Sequence, residues 1–360
     1  MTKQRQSRDF LVVVGRNWAL IFLCVEIIIF SIISTGYFSL ENFQNILSAS
    51  TTVLLLAIGE TFVIITGGID LSVGFVVGFT GVICAKIMVT LQTQGVSQAV
   101  SIPIGIIAAL VLGLIPGLVN GVLVAKLRVP PFIATFGMYG IAYGVAEIIS
   151  GNAPVSNLPP AVGFVGHGYL LYYLPWNTSL FKMFSFFKAP DNLTRDEIKQ
   201  VVGLAPNVVV LSVILILIFG FILAKTRFGQ HTYAIGGNLE AAKRAGINVS
   251  RHLIKIYMIS SFFASAAGVV YALKYVTGRA DAGSSRMLDA VSAVVIGGAS
   301  LYGGTGTVIG TVIGAFIVAC LETGLVMLVV PTYNLYIAVG CILVFAVLVD
   351  QFFPELTHKD

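Results

Sequence analysis

Charge is what this sequence has least of. Asp, Glu, Lys and Arg make up 10% of its 360 residues, against 57% hydrophobic. Mean hydropathy is +0.95. A water-soluble domain of this length needs far more polar surface, so that class is excluded. Cysteine is scarce too. Cys24, Cys84, Cys320 and Cys341 all fall inside apolar runs, without disulfide or metal spacing. His167, His231, His252 and His358 do not cluster along the chain, so no metal site is expected. The short alternating segments of a membrane β-barrel are missing. No G-x-x-x-x-G-K-[ST] occurs, so the chain lacks that phosphate loop, and if it works with ATP, the ATP and its Mg ion sit on a partner chain.

What the sequence does hold is apolar runs of about 20 residues, the length a helix needs to cross about 30 Å of hydrocarbon. Ten spans are expected, near 18–35, 46–66, 71–91, 101–125, 132–150, 206–224, 253–276, 287–301, 306–328 and 335–350. The run from Trp18 follows a basic segment and reads as an uncleaved anchor. With the N-terminus inside, thirteen basic residues fall on the cytoplasmic side and seven outside, Lys86 being within a span. That asymmetry favours both termini cytoplasmic. The basic pI, near 9.0, reflects these residues and not nucleic-acid binding. The expected fold is therefore an all-α polytopic membrane protein of about ten helices, with broken or re-entrant elements, in one domain covering 1–360. Membrane lipid is its surroundings. Two connections stand out: a long extracytoplasmic loop at 151–205, and a cytoplasmic loop at 226–252. In the first, Thr194 with Glu197 three residues on reads as a capping box that starts a short helix.

The stretch "GETFVIITGGIDLSVG" (59–74) carries two carboxylates into an apolar region. Gly67 and Gly68 suit the end of a span. Asp70 then suits the N-cap of the next helix, at the cytoplasmic face. Such a turn also fits an inner gate, where small residues let backbones slide. Glu60 lies about 10 Å deeper by helical rise. No cap explains it, which leaves a wet pathway or a hydrogen bond to a neighbouring helix. "GGIDLSVG" (67–74) and "GGASLYGG" (297–304) share the spacing G-G-x-x-L-x-x-G, an echo of the kind that transporters built from repeated broken helices carry.

A second segment, "GGNLEAAKRAGIN" (236–248), spells a helix of about two turns. Asn238 suits its N-cap, Glu240 its first turn, Lys243 and Arg244 its last, and Gly246 its stop. Leu239, Ala242 and Ala245 share one face. A helix this short is marginal alone. It must dock on its own bundle, on lipid or on a partner.

These stretches, together with "NGVLVAKLRVPPFIATFGM" (120–138) and "RFGQHTYAIGGNLEAAKRAGINV" (227–249), resemble the permease subunit of ribose-, xylose- and galactose-type ATP-binding-cassette sugar importers, from about Phe38 to Asp350. The 151–205 loop is longer than that pattern. The resemblance implies a permease in the bacterial cytoplasmic (inner) membrane, with no catalytic residues of its own. It implies two permease subunits, two ATPase domains and an extracytoplasmic sugar-binding protein. It also makes 238–246 a coupling helix, with Gly237, Asn238, Leu239, Glu240, Ala241, Ala242 and Gly246 as the residues that couple to the ATPase. The gate and pathway candidates are Glu60, Gly67, Gly68, Asp70, Asn120, Phe132 and Phe136. For Asn120, Asn45 and the aromatic trio Phe132, Phe136 and Tyr139, ordinary packing competes with sugar contact. The favoured cargo is a pentose or hexose, with nucleosides and other sugar-like solutes open. Two rivals remain. An ion-coupled carrier would use Glu60 and Asp70, but needs no coupling helix. A membrane enzyme would need clustered catalytic groups, which the sequence lacks.

Overall fold

The computed structural model describes residues 17–174, 184–186 and 201–352. Among them, seven helical spans are long and apolar enough to cross a membrane. They are α2 (Leu40–Ile65), α3 (Val73–Thr93), the pair α4 (Gln98–Leu112) and α5 (Leu114–Ala125) broken at Gly113, α6 (Pro131–Ser150), α8 (Asn207–Lys225), α11 (Val249–Tyr275) and α13 (Val308–Met327). α1 (Trp18–Ile33) is apolar and shorter, and α14 (Thr332–Phe352) closes the bundle. Starts follow local chemistry. Ser39, Asn248 and Thr307 accept N–H bonds at the heads of α2, α11 and α13, at 3.0 to 3.2 Å.

α2 and α11 form the centre. Leu55, Ile58, Phe62 and Ile64 on α2 and Phe263 and Ala267 on α11 are wholly buried. The two helices run antiparallel. Lys274 Nζ donates to Ser48 O at 2.9 Å at one end, and Tyr257 reaches Gly68 at the other. The described residues of 151–206 and the segment 226–248 therefore sit at opposite ends of the bundle. Val155 pairs with Gly278 and Gln44 donates to Gly203 O at the first end. Gly304 N–H donates to Ile65 O at the second.

Three expectations need correction. The span expected at 287–301 is α12 (Arg286–Ile296), of 11 residues. At 1.5 Å per residue it covers about 16 Å, half of the hydrocarbon. It is preceded by a non-helical segment, 277–285, whose Gly278, Ala280 and Gly283 are buried against α3. The chain is also not purely helical. After α7 (Ala161–His167), strands β1 (Tyr169–Tyr173), β2 (Phe184–Phe186) and β3 (Val202–Pro206) form an antiparallel sheet in the order β2-β1-β3. The run Tyr169-Leu-Leu-Tyr-Tyr173 is aromatic and suits a half-buried strand. Finally, 226–252 holds two helices: α9 (Arg227–Gly237), capped by Thr226, precedes α10 (Leu239–Arg244). The helix expected from Thr194 lies outside the described residues.

Candidate functional site

Gly67 adopts φ +79° and ends α2. Its N–H donates to Ile64 O at 2.8 Å and that of Gly68 to Val63 O at 3.1 Å, the paired bonds of a Schellman end. The following turn does not stay at the membrane face. It folds back along α2, so that Asp70 N–H donates to Glu60 Oε1 at 3.0 Å. Asp70 is also not the cap of α3. Ser72 holds that position, without a side-chain cap bond. Asp70 Oδ1 accepts from Ser72 N–H at 3.1 Å and from Ser72 Oγ at 2.5 Å. Its Oδ2 accepts from Ser260 Oγ of α11 at 2.8 Å. Asn120 Nδ2 of α5 donates to Ser72 Oγ at 3.0 Å and, at 3.4 Å, to Asp70 Oδ1. Thr135 Oγ1 of α6 donates to Ile69 O at 3.2 Å.

Glu60, Asp70, Ser72, Asn120, Thr135 and Ser260 are all 0% exposed. A carboxyl at membrane depth is costly unless its oxygens find donors. Here the turn is drawn inward to meet α2, α5, α6 and α11, and the donors to Asp70 come from three directions. Satisfaction is not complete. Asn120 Oδ1 and the neighbouring Ser261 Oγ have no hydrogen-bond partner among the described residues.

The second break lies beside the first. Residues 278–287 run along a stripe of small residues on α3. Ala280 O sits so close to Gly78 that a Cβ there would be 1.8 Å away, while Gly283 touches Gly74 and Gly278 touches Gly81. Irregular backbone at membrane depth is tolerated where protein buries it in this way. At the mouth of this segment Asp281 accepts two bonds from Arg279, at 3.0 and 2.8 Å. Deeper, Arg286 grips Glu322 of α13 through two bonds, at 2.7 and 2.9 Å, and lies 3.3 Å from Asp289. In the sequence these three side chains stand as separate residues near span ends. Nothing in their spacing marks the triad.

Phe132 and Phe136 lie apart from the polar cluster, on the open face of α6, 58% and 56% exposed. Their rings stack at 5.8 Å and 4°, and Phe136 stacks on Tyr139 at 5.6 Å. Tyr139 in turn meets Phe75, near the start of α3, edge-on at 4.2 Å. The ladder thus leads from an exposed helix face back to the turn that carries Asp70. Asn45 is exposed at the far end of α2.

At the opposite end of α2, α10 stands free. Asn238 Oδ1 accepts from Ala241 N–H at 2.9 Å, and Glu240 pairs with Lys243 at 2.6 Å. Gly246, at φ +81°, ends the helix. Leu239, Glu240, Ala241 and Ala245 are exposed, but Ala242 is 3% exposed and faces its own bundle. The shared face expected for Leu239, Ala242 and Ala245 is therefore split. α10 hangs from α9, whose Gly236 touches Ile65 O and Gly304 N by main chain alone. Tyr233 Oη donates to Gly306 O at 2.8 Å, and burial pushes its phenol above the ordinary value. So the two G-G-x-x-L-x-x-G stretches meet in space. Each begins with a helix end in which the second glycine or its neighbour closes bonds to the preceding turn. His231 and His252, set apart by the sequence, bring their rings to 5.9 Å. His252 Nε2 shares a hydrogen bond with Thr232 Oγ1 at 2.9 Å. Among the described residues no three of His, Cys, Asp and Glu form a group able to hold a metal.

Comparison with known proteins places these features in context. Residues 42–347 match the family described as branched-chain amino acid transport system / permease component. The ribose import permease protein RbsC of Escherichia coli K12 is 35% identical over 333 residues, 92% of either chain. The xylose transport system permease protein XylH of Haemophilus influenzae is 36% identical over 362 residues, 92% of this chain and 94% of that one. RbsC of Bacillus subtilis is 34% identical over 331 residues, 91% and 90%. No solved structure matches the chain.

Proposed function

The chain belongs to the family of transport-system permease components, and from that premise we propose that it carries a monosaccharide, a pentose or hexose, into the cytoplasm as the membrane subunit of an ATP-driven, binding-protein-dependent importer. It is a multi-pass membrane protein and a transport subunit, not an enzyme. Its relatives along nine-tenths of the chain are named for ribose and xylose, which supports a sugar over the amino acid of the family description.

The observation that carries the reading is α10. A capped helix of 6 residues, exposed but for Ala242, stands at one end of the bundle. Alone it is too short to be stable, and Leu239, Glu240 and Ala241 offer a face to a cytoplasmic ATPase subunit. That end is then cytoplasmic, and the sheet end meets the extracytoplasmic binding protein. ATP and its Mg ion belong to the ATPase. A second permease subunit, identical or not, faces this one across the pathway, in the bacterial inner membrane. The exposed rings of Phe132 and Phe136 offer flat apolar faces to the C–H side of a sugar. Glu60, Asp70 and Asn120 hold the turn on which the gate moves, with Gly67 and Gly68 giving it room. Nucleic acid has no part.

The test is uptake by proteoliposomes holding the permease with its ATPase, supplied with binding protein and a panel of ribose, xylose, galactose, a nucleoside and leucine. Sugar uptake should need ATP and survive collapse of the proton gradient. Gradient-driven uptake without the ATPase would mean an ion-coupled carrier, and leucine uptake alone would overturn the sugar reading. For sidedness, a thiol at Ser156→Cys should react from outside intact cells, and one at Ala241→Cys only after the membrane is opened.

A further inference from the structure

At the α10 end a groove of about 470 Å³ opens between α5, α8, α9 and α11. It is lined by Leu114, Phe219, Ile222, Phe228, Met258, Ile259 and Phe262, and by a single charged residue, Lys255. The lining is ordered by depth. Phe228 opens α9 and Lys255 sits near the head of α11, both close to the membrane face. Phe262 lies seven residues further along α11, about 10 Å deeper by helical rise, and stacks on Phe219 at 5.9 Å. The groove is positive at its mouth and hydrocarbon at its floor.

We propose that this groove binds an anionic phospholipid of the leaflet at the α10 end, its phosphate on Lys255 and an acyl chain on Leu114, Phe219, Met258 and Phe262. Three observations select this occupant. Lys255 is exposed and forms no ion pair or hydrogen bond among the described residues. The surrounding charge has one sign: between Asn207 and Ala280 the sequence has one acidic residue, Glu240, and α5 and the residues after it hold none up to Glu147. Glu240 is taken by Lys243 at 2.6 Å. Lys225, Arg227 and Arg251 stand at the same end. Last, the floor is apolar, and around membrane-spanning helices hydrocarbon is the solvent. An apolar cavity there is filled by a chain more favourably than by water. A soluble anion would use the mouth and leave the floor unfilled, so the whole groove fits only an amphiphile. Basic pockets between spans on the cytoplasmic side bind anionic headgroups in this way. The proposal needs the membrane setting but not the sugar-import reading.

The test is native mass spectrometry of the purified full chain, titrated with phosphatidylglycerol or phosphatidylcholine of matched chains. Phosphatidylglycerol should bind more tightly. Lys255→Gln should weaken it roughly fivefold, the worth of one lysine near a membrane surface, while Lys255→Arg and Lys86→Gln leave it unchanged. Met258→Trp, which fills the floor, should lower binding of the same lipid with Lys255 intact, and its melting temperature reports whether it folds. Equal binding of both lipids, no effect of Lys255→Gln, or no effect of Met258→Trp would overturn the proposal. Displacement of the lipid by millimolar inorganic phosphate would do so too, because the mouth would then be a site for a soluble anion.

Discussion

Removing the Asp70 carboxylate should loosen the centre of the bundle, and the hydrogen bonds give the size of the effect. In Asp70→Ala three short bonds lose their acceptor: Ser72 N–H, Ser72 Oγ and Ser260 Oγ. A buried donor left unpaired costs about 1–3 kcal/mol. The two hydroxyls can turn elsewhere, as Ser265 does onto Ser261 O at 2.6 Å. The Ser72 N–H cannot turn. Allowing for that, Asp70→Ala should cost about 2–4 kcal/mol. Ser260→Ala removes one interhelical bond and should cost about 0.6–2 kcal/mol, the range such bonds show inside membranes. Asp70→Asn keeps the shape and an acceptor, and its new N–H can donate to Ser260, so it should cost about 1 kcal/mol. The measurement is thermal or denaturant unfolding of purified protein in one detergent, followed by tryptophan fluorescence and by size exclusion. The double variant Asp70→Ala with Ser260→Ala closes a cycle that should show coupling of about 0.5–3 kcal/mol. If Asp70→Ala unfolds with the wild type, or the cycle is additive, the carboxylate does not tie the turn to α11 and the account of the site fails.

Three further outcomes follow from the same geometry. Gly246→Val places a β-branched residue at φ +81°, at a cost of about 1–2 kcal/mol, while Glu240→Ala breaks an exposed pair worth less than about 1 kcal/mol; both should leave membrane levels normal yet lower uptake and ATP hydrolysis together in the reconstituted complex, and normal transport in both would remove the coupling role of α10. Arg286→Ala leaves Glu322 and Asp289, 24% and 12% exposed at the side chain, facing each other without their cation, so it should lower the unfolding midpoint more than Arg286→Ala combined with Glu322→Ala and Asp289→Ala; the reverse order would mean that the triad is solvated. Phe136→Ala trims a ring that is 56% exposed, so stability should hardly move while the sugar concentration for half-maximal uptake rises several-fold; an unchanged value would take the ladder out of the pathway.

Much of the fold is legible in the sequence because hydrophobic length is a strong signal. Nine of the ten expected spans coincide with helices of the structure, α4 and α5 together making one of them. The departures have physical reasons. The span at 287–301 reads as continuous because residues buried within the protein are as apolar as residues facing lipid; only the stripe Gly74, Gly78 and Gly81, set beside Gly278 and Gly283, hints at an irregular strand of chain packed there. The Asp70 turn reads as a surface feature because a cap is the ordinary use of Asp before a helix. Its real partners, Ser260 and Asn120, lie 190 and 50 residues away, and no local pattern encodes that. α9 is hidden because Gly229, Gly236 and Gly237, set among Arg227, Gln230, His231 and Thr232, have the make-up of a loop; its fold depends on seating Gly229 against Leu223 and Gly236 against Ile65. α10, by contrast, is spelled out by Asn238 and Gly246, since caps are local.

Main chain meets main chain where Gly236, Gly303 and Gly304 close on Ile65 and Gly67, with no side chain between them. Elsewhere in a packed bundle a small displacement is absorbed by a rotamer before it reaches the next helix. Here there is no rotamer to turn. Gly304 N–H is bonded to Ile65 O at 2.8 Å, and Gly236 is seated on the same carbonyl. Alongside the bonds of Thr232 to His252 and of Tyr233 to Gly306, this contact ties α9 directly to the last turn of α2, which leads into the loop that holds Asp70. A contact of main chain on main chain leaves little play between the two helices. A bilayer protein that must relay motion from one end to its middle gains fidelity from this, and loses tolerance. A single methyl at Gly236 would stand 1.8 Å from Ile65 O and wedge the two chains apart.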